Sequence, residues 1–198
     1  MRSRPLLRSG RRLDRGGMTM VEMLISLTIF ALVTAIVISF LTGSRRTYDD
    51  TSERASYQQS LRAVFSLLTR EIRSAGCDPL EVGIDGLPIA DLDMLRCRMD
   101  LDGDGNATGN DPEEDVTYQF VAGLEELQRT TPNGTLTILR DVQSVTFSYF
   151  DGDGTPLNTL PLDAADRAEV RFVGIAIAGE TGSGEPVTYS TRVLVRNG

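Results

Sequence analysis

Apolar and polar positions alternate with three different periods along the chain. Met23 to Ser44 is a run of 22 residues without a charge or a proline. As a helix it would extend about 33 Å, enough to cross a hydrocarbon core of about 30 Å. It is apolar on every face, whereas a helix buried in a soluble core usually keeps one polar stripe. From residue 45 to 76 the period changes. Tyr57, Leu61, Val64, Phe65, Leu68, Ile72 and Ala75 recur at spacings of three and four, with Arg54, Arg62, Arg70, Glu71 and Arg73 assigned to the wetted side. Gly76-Cys77-Asp78-Pro79 then stops the pattern, because Gly suits a left-handed cap and Pro cannot continue a helix. An unbroken helix from Met18 to Ala75 would extend about 87 Å, with Gly43-Ser44 as its weakest point.

Beyond Gly76 the period falls to two. Val116–Phe120, Thr135–Leu139, Val142–Phe150, Ala168–Ala178 and Val187–Val195 are short, rich in Val, Thr, Ile, Phe and Tyr, and separated by turn residues. Val145, Phe147 and Tyr149 would share one face, as would Val170, Phe172 and Gly174. The linkers Pro132-Asn133-Gly134, Asp151-Gly152-Asp153-Gly154 and 179–186 are turn-forming by composition. The predicted fold class is α+β, with an antiparallel sheet packed on the second half of one long helix. Four segments follow: a basic leader 1–17, an apolar helix 18–44, its amphipathic continuation 45–76, and a β-rich body 77–198 with an acidic loop at 100–115.

Charge sharpens this division. The leader holds six arginines and one aspartate, +5, which leaves 14 basic and 27 acidic residues, −13, for the rest. So acidic a body argues against nucleic acid as a partner, since phosphate binding rests on Lys and Arg. The six leader arginines outnumber Arg45 and Arg46 beyond the span, which orients the N-terminus to the cytoplasm and exports the body. Histidine is absent and there are two cysteines, which excludes His-based acid–base catalysis, Ser–His–Asp triads and ordinary zinc centres. No pairing of a nucleophile with a base stands out, so the chain is read as non-catalytic.

A secretory signal would carry small residues at a cleavage site after the apolar run, but this run ends in Thr42-Gly43-Ser44-Arg45-Arg46. The unusual feature precedes it: Gly16-Gly17-Met18-Thr19-Met20-Val21-Glu22 places one carboxylate at the threshold of the apolar helix. With its basic leader, Gly17, Thr19 and Glu22 at the fifth position after that glycine, the segment resembles a type IV pilin precursor. Met18 stands where that family more often has Phe. The resemblance implies cleavage between Gly17 and Met18 by a prepilin peptidase, N-methylation of Met18, and a pilin-like fold. A charge at the middle of a membrane helix costs about 2.5–3.5 kcal/mol on insertion scales, so Glu22 is expected to have a partner. The new Met18 ammonium would supply it, within the subunit or across to a neighbour. The bland alternative leaves Glu22 in the headgroup region with no role.

Within the superfamily, the segments Arg70–Gly76, Asp141–Asp151 and Ser190–Asn197 are similar to minor pilins of the PilW type and to the type II secretion pseudopilin GspJ. This resemblance implies a structural minor pilin, anchored by a single pass in the inner membrane with a periplasmic body, then carried into a pilus at the cell surface. It implies major and minor pilins, a prepilin peptidase and a tip adhesin as partners. A secretion pseudopilus is the alternative, and a singly anchored calcium-dependent adhesin or binding module is a third reading. No cofactor is required for such assembly.

Two further features concern the body. Cys77 and Cys97 lie on the exported side, where oxidation is permitted; compartment alone favours a disulfide over two unpaired thiols. Counting from Asp100, Asp100, Asp102 and Asp104 occupy positions one, three and five, Gly105 is sixth, Asn106 and Thr108 follow, and Asp111 is twelfth. This resembles the calcium loop in which alternate oxygens wrap a hard cation. Asp111 replaces the usual Glu, and Ala107 stands where a β-branched residue usually pins the loop. Seven acids and no basic residue in 100–115 would repel one another, and Ca²⁺ would relieve that. The alternative is a solvated acidic connection. For Asp151-Gly152-Asp153-Gly154, turn chemistry is explanation enough.

Overall fold

A computed structural model describes residues 18–108, 111–180, 184 and 186–195, without the side chains of residues 46 and 50. The leader, including Gly17, lies outside the described residues. Two compact units divide between Tyr48 and Asp49.

The first unit is the start of helix α1, Met20–Ser74, which continues without interruption past Gly43-Ser44. Its large apolar side chains, Met20 through Leu41, are all exposed; Phe40, for example, keeps 74% of its surface. Hydroxyls in this stretch do not need water. Ser26 donates to the Glu22 carbonyl at 2.8 Å, Thr34 to that of Phe30 at 2.7 Å, and Thr28 and Thr42 to those of Leu24 and Ile38. Backbone and hydroxyl groups are thus satisfied inside the helix, the condition a hydrocarbon environment imposes. By length and composition the helix can cross a membrane.

The second unit begins with the rest of α1 and holds the core. Leu61, Val64, Phe65, Leu68, Ile72 and Ala75 are buried and Tyr57 is half-buried, as their spacing predicts. Glu71 is the exception to the predicted wetted side, being only 5% exposed. It is turned inward because two strands bring it partners, described below. The helix ends where expected, with Gly76 at φ 74°. Its N–H donates to the Arg98 carbonyl at 2.8 Å. Gly86 passes so close that a Cβ there would stand 2.5 Å from the Gly76 nitrogen.

Two antiparallel sheets pack on this helix where a single one was predicted. The first has the order β1 (Ile89–Ala90), β2 (Met94–Arg98), β3 (Asp115–Val121), β4 (Glu126–Thr131), β5 (Gly134–Leu139). The second has the order β7 (Pro156–Leu157), β6 (Val142–Phe150), β8 (Phe172–Glu180), β9 (Pro186–Leu194). Leu95, Cys97, Val116, Tyr118, Leu127 and Leu139 face inward from one sheet. Val145, Phe147, Tyr149, Val173, Ile175, Ile177 and Val193 do so from the other, all in one cluster with the helix.

Three predicted details change. Strands β1, β2, β4 and β7 lie outside the predicted segments: β1 and β7 are two residues each, and Arg96, Arg98, Gln128 and Arg129 mask the apolar alternation of β2 and β4. The predicted strand Ala168–Ala178 starts late, since a short helix α2, Ala164–Glu169, occupies its beginning; Asp163 caps that helix by accepting from the N–H of Ala165 and Asp166, both at 2.9 Å. The inward phase of β8 is therefore Val173, Ile175 and Ile177, and Phe172 is only half-buried. The Asp151–Gly154 run is the turn between β6 and β7, with the Asp151 carboxylate accepting from the N–H of Asp153 and Thr155 at 2.9 and 2.8 Å.

Candidate functional site

At the N-terminal end, Met18 and Thr19 precede the helix and are exposed. The Thr19 hydroxyl oxygen accepts from the Glu22 N–H at 3.3 Å, so Thr19 caps α1 and Glu22 is its third residue. Thr-x-x-Glu is the capping-box spacing. Glu22 thus stands in the first turn of α1, at the threshold of the apolar helix, where the helix dipole favours negative charge. Glu22 follows Met18 by four residues in the sequence, with Met18 itself ahead of the helix.

The acidic loop joins β2 to β3 and is folded around its own carboxylates. Asp100 is fully buried and accepts from the N–H of Gly103 at 2.6 Å and of Gly105 at 2.9 Å. Asp102 accepts from Asp104 at 3.0 Å, Asp104 from Asn106 at 2.7 Å, and the Asn106 side chain from both the N–H and hydroxyl of Thr108 at 2.9 Å. Gly103 and Gly105 adopt φ of 81° and 82°, which these successive turns require. Ala107 is buried.

The structure also brings in a residue the spacing missed. Glu114 is 3% exposed and accepts from the N–H of Leu101 at 2.6 Å and of Asp102 at 3.2 Å. One carboxylate oxygen each of Asp100, Asp102 and Glu114 lies within 4.8 Å of the others, and a second such group is Asp102, Asp104 and Asp111. Oxygens that share one Ca²⁺ at about 2.3–2.6 Å are separated by no more than about 5 Å, and neither group is too widely spread for that. Asp115, by contrast, leaves the acidic set. It pairs with Arg96 at 2.5 Å and Arg98 at 3.3 Å, because the register sets Arg98 opposite Asp115. Burial alone would raise its carboxyl pKa, but the two guanidiniums outweigh that and hold it below the ordinary range. The predicted repulsion along 100–115 is partly answered by these flanking arginines.

Cys77 and Cys97 stand as free thiols in this structure. Cys97 alternates with Leu95 on β2 and points into the core, while Cys77 lies half-exposed after the helix. Backbone hydrogen bonds tie these segments: the Asp100 N–H donates to the Cys77 carbonyl at 2.8 Å, beside the Gly76–Arg98 bond. Burial, and then the Glu71 charge, push the Cys97 thiol well up, which disfavours the reactive thiolate.

Beneath the helix lies a buried polar cluster the sequence did not reveal. Glu71 accepts from Arg129 Nη2 at 2.8 Å and from the Tyr118 hydroxyl. Burial and then the adjacent Glu71 raise the Tyr118 pKa, keeping its proton in place to donate. Its contacts are satisfied inside the core, which marks it as a structural pin between α1, β3 and β4.

No curated protein matches the chain. Residues 12–38, which contain Gly17, Met18, Thr19, Glu22 and the apolar span as far as Ile38, match the family profile of the prokaryotic N-terminal methylation motif, and this supports a place in the type IV pilin-like superfamily.

Proposed function

We propose that the chain is a minor type IV pilin, a structural subunit that is processed between Gly17 and Met18, methylated on Met18 and built into a filament through its apolar helix. The observation that carries this reading is the conjunction of the matched motif with an apolar helix whose large side chains from Met20 to Leu41 are exposed. A surface of that kind calls for lipid before assembly and for other helices after it. In this reading the inner membrane, a prepilin peptidase and other pilins are the partners, and Glu22 neutralises an N-terminal ammonium. A subunit of a secretion pseudopilus would use the same physics; the β-rich body and the helix-ending segment suit either machine.

Glu22→Val tests the charge pairing. It should leave membrane insertion intact, because removing a charge helps insertion, and should weaken association with other pilins. Co-purification with pilins from the native host reads this out; unchanged recovery and unchanged pilus number would rule against the pairing.

The acidic loop is the second part of the proposal, with Asp100, Asp102, Asp104, Asp111 and Glu114 as candidate Ca²⁺ ligands. Binding to the folded form alone contributes about 2.7 kcal/mol when the free ion is at a hundred times its dissociation constant. That corresponds to a rise in melting temperature of about 5–10 °C for a body of this size. Extracellular calcium modules often bind in the range of about 10⁻⁴–10⁻³ M, so the rise should need millimolar calcium. Asp102→Asn with Asp104→Asn should abolish it while sparing the fold. Thermal melts of the full chain in detergent, with calcium and with chelator, decide this: coincident curves would reduce the loop to a charged connection.

A further inference from the structure

Helix α1 and strand β9 enclose a groove of about 620 Å³ lined by Arg62, Phe65, Thr69, Arg70, Arg73 and Tyr189, with small hydroxyl residues between them. Its floor is fixed by the Phe65 and Tyr189 rings, whose centroids are 5.4 Å apart. Three of the lining residues are arginines and none is acidic, although the chain beyond its leader carries 27 acidic and 14 basic residues. All three are exposed, and among the described residues none of them is in an ion pair. Arg192, further along β9, is differently placed, stacked 3.7 Å over the Phe150 ring.

The strand beside these arginines is an open edge. β9 ends its sheet, and among the described residues no strand lies beyond it. It is nine residues long, mostly exposed, and has Arg192 as its single charged side chain. Sheet edges left open to solvent are normally blunted by charges, bulges or short length, because their free N–H and C=O groups template another strand. A long edge with a single charge, next to an uncompensated basic row, is suited to be covered.

We propose that this groove receives an extended acidic segment of a neighbouring subunit, which adds as a strand to β9 and sets carboxylates against Arg62, Arg70 and Arg73. The dimensions agree. Arg62 and Arg73 are eleven residues apart on the helix, about 16–17 Å, which about five residues of strand would span. The open edge selects for a polypeptide backbone, and the arginines select for carboxylates on it. The inference rests on the filament reading for the source of that segment. Groove binding is measured apart from N-terminal processing, so either can fail alone.

The test uses the full chain in detergent micelles and a fluorescent nine-residue peptide, TEVEVEVET, with three controls: its lysine counterpart TKVKVKVKT, the acidic peptide N-methylated along its backbone, and vesicles of anionic phospholipid. Polarisation should show binding of the acidic peptide that weakens as salt is raised and falls at least tenfold in Arg70→Glu/Arg73→Glu, with Arg70→Gln/Arg73→Gln intermediate. Amide exchange should slow across residues 188–192 on binding. Neither the lysine peptide nor the N-methylated one should bind, and the vesicles should not displace the acidic peptide. Equal binding of acidic and lysine peptides, binding undiminished by N-methylation or by charge reversal, displacement by vesicles, or protection away from β9 would each overturn the proposal.

Discussion

Arg129→Met should destabilise the body by about 3–5 kcal/mol, the cost of leaving a buried carboxylate without its cation. Glu71 sits in the core with a side-chain exposure of 6%, held by Arg129 from β4 and by the Tyr118 hydroxyl from β3. Removing the guanidinium leaves Tyr118 as its remaining donor, and one neutral donor does not replace the charge-assisted bond from Arg129. Replacing all three groups together, Glu71→Leu with Tyr118→Phe and Arg129→Met, should recover most of the loss, because a well-packed apolar set often matches a buried ion pair. Urea unfolding of the full chain in detergent, following a signal from the body, gives both numbers. A single variant within about 1 kcal/mol of the parent would show that the cluster is no pin.

The other large effect is expected at the leader. Gly17→Val should leave residues 1–17 attached and exclude the protein from filaments. Retention would keep six arginines and one aspartate, a charge of +5, at the foot of an apolar helix that has to pack among others. It would also withhold the new ammonium at Met18 from Glu22. A charge cluster of that size at a helix–helix interface is far costlier than the loss of one pair, so incorporation should fall below detection while membrane insertion persists. Pulling down filaments from host cells that carry the variant measures this; filaments containing leader-bearing subunits would refute it.

The sequence was most legible where one period governs a long stretch. The helix through Ser74, its buried stripe and its glycine stop all follow from apolar spacing and from the demand of a left-handed cap. β6 follows for the same reason, with Val145, Phe147 and Tyr149 inward. Legibility failed where long-range pairing overrides local pattern. Glu71 looks like one more surface charge until β3 and β4, 47 and 58 residues later in sequence, bring Tyr118 and Arg129 to it. β2 and β4 are hidden because their arginines serve partners elsewhere, Asp115 on β3 for Arg96 and Arg98 and Glu71 on α1 for Arg129. At the acidic loop the turn-forming spacing was readable, whereas Glu114 was not, since it folds back onto Leu101 and Asp102 from outside the twelve-residue frame. Cys97 faces inward by the alternation of β2, which only the strand itself discloses.

The central claim, that the N-terminal segment is processed for filament assembly, is tested most directly by intact-mass and N-terminal sequencing of the protein purified from its native host. The account predicts a mature chain that begins at Met18 and carries one methyl group on its α-amino nitrogen. A mature protein that retains its leader, or one cut after the apolar run, would contradict it.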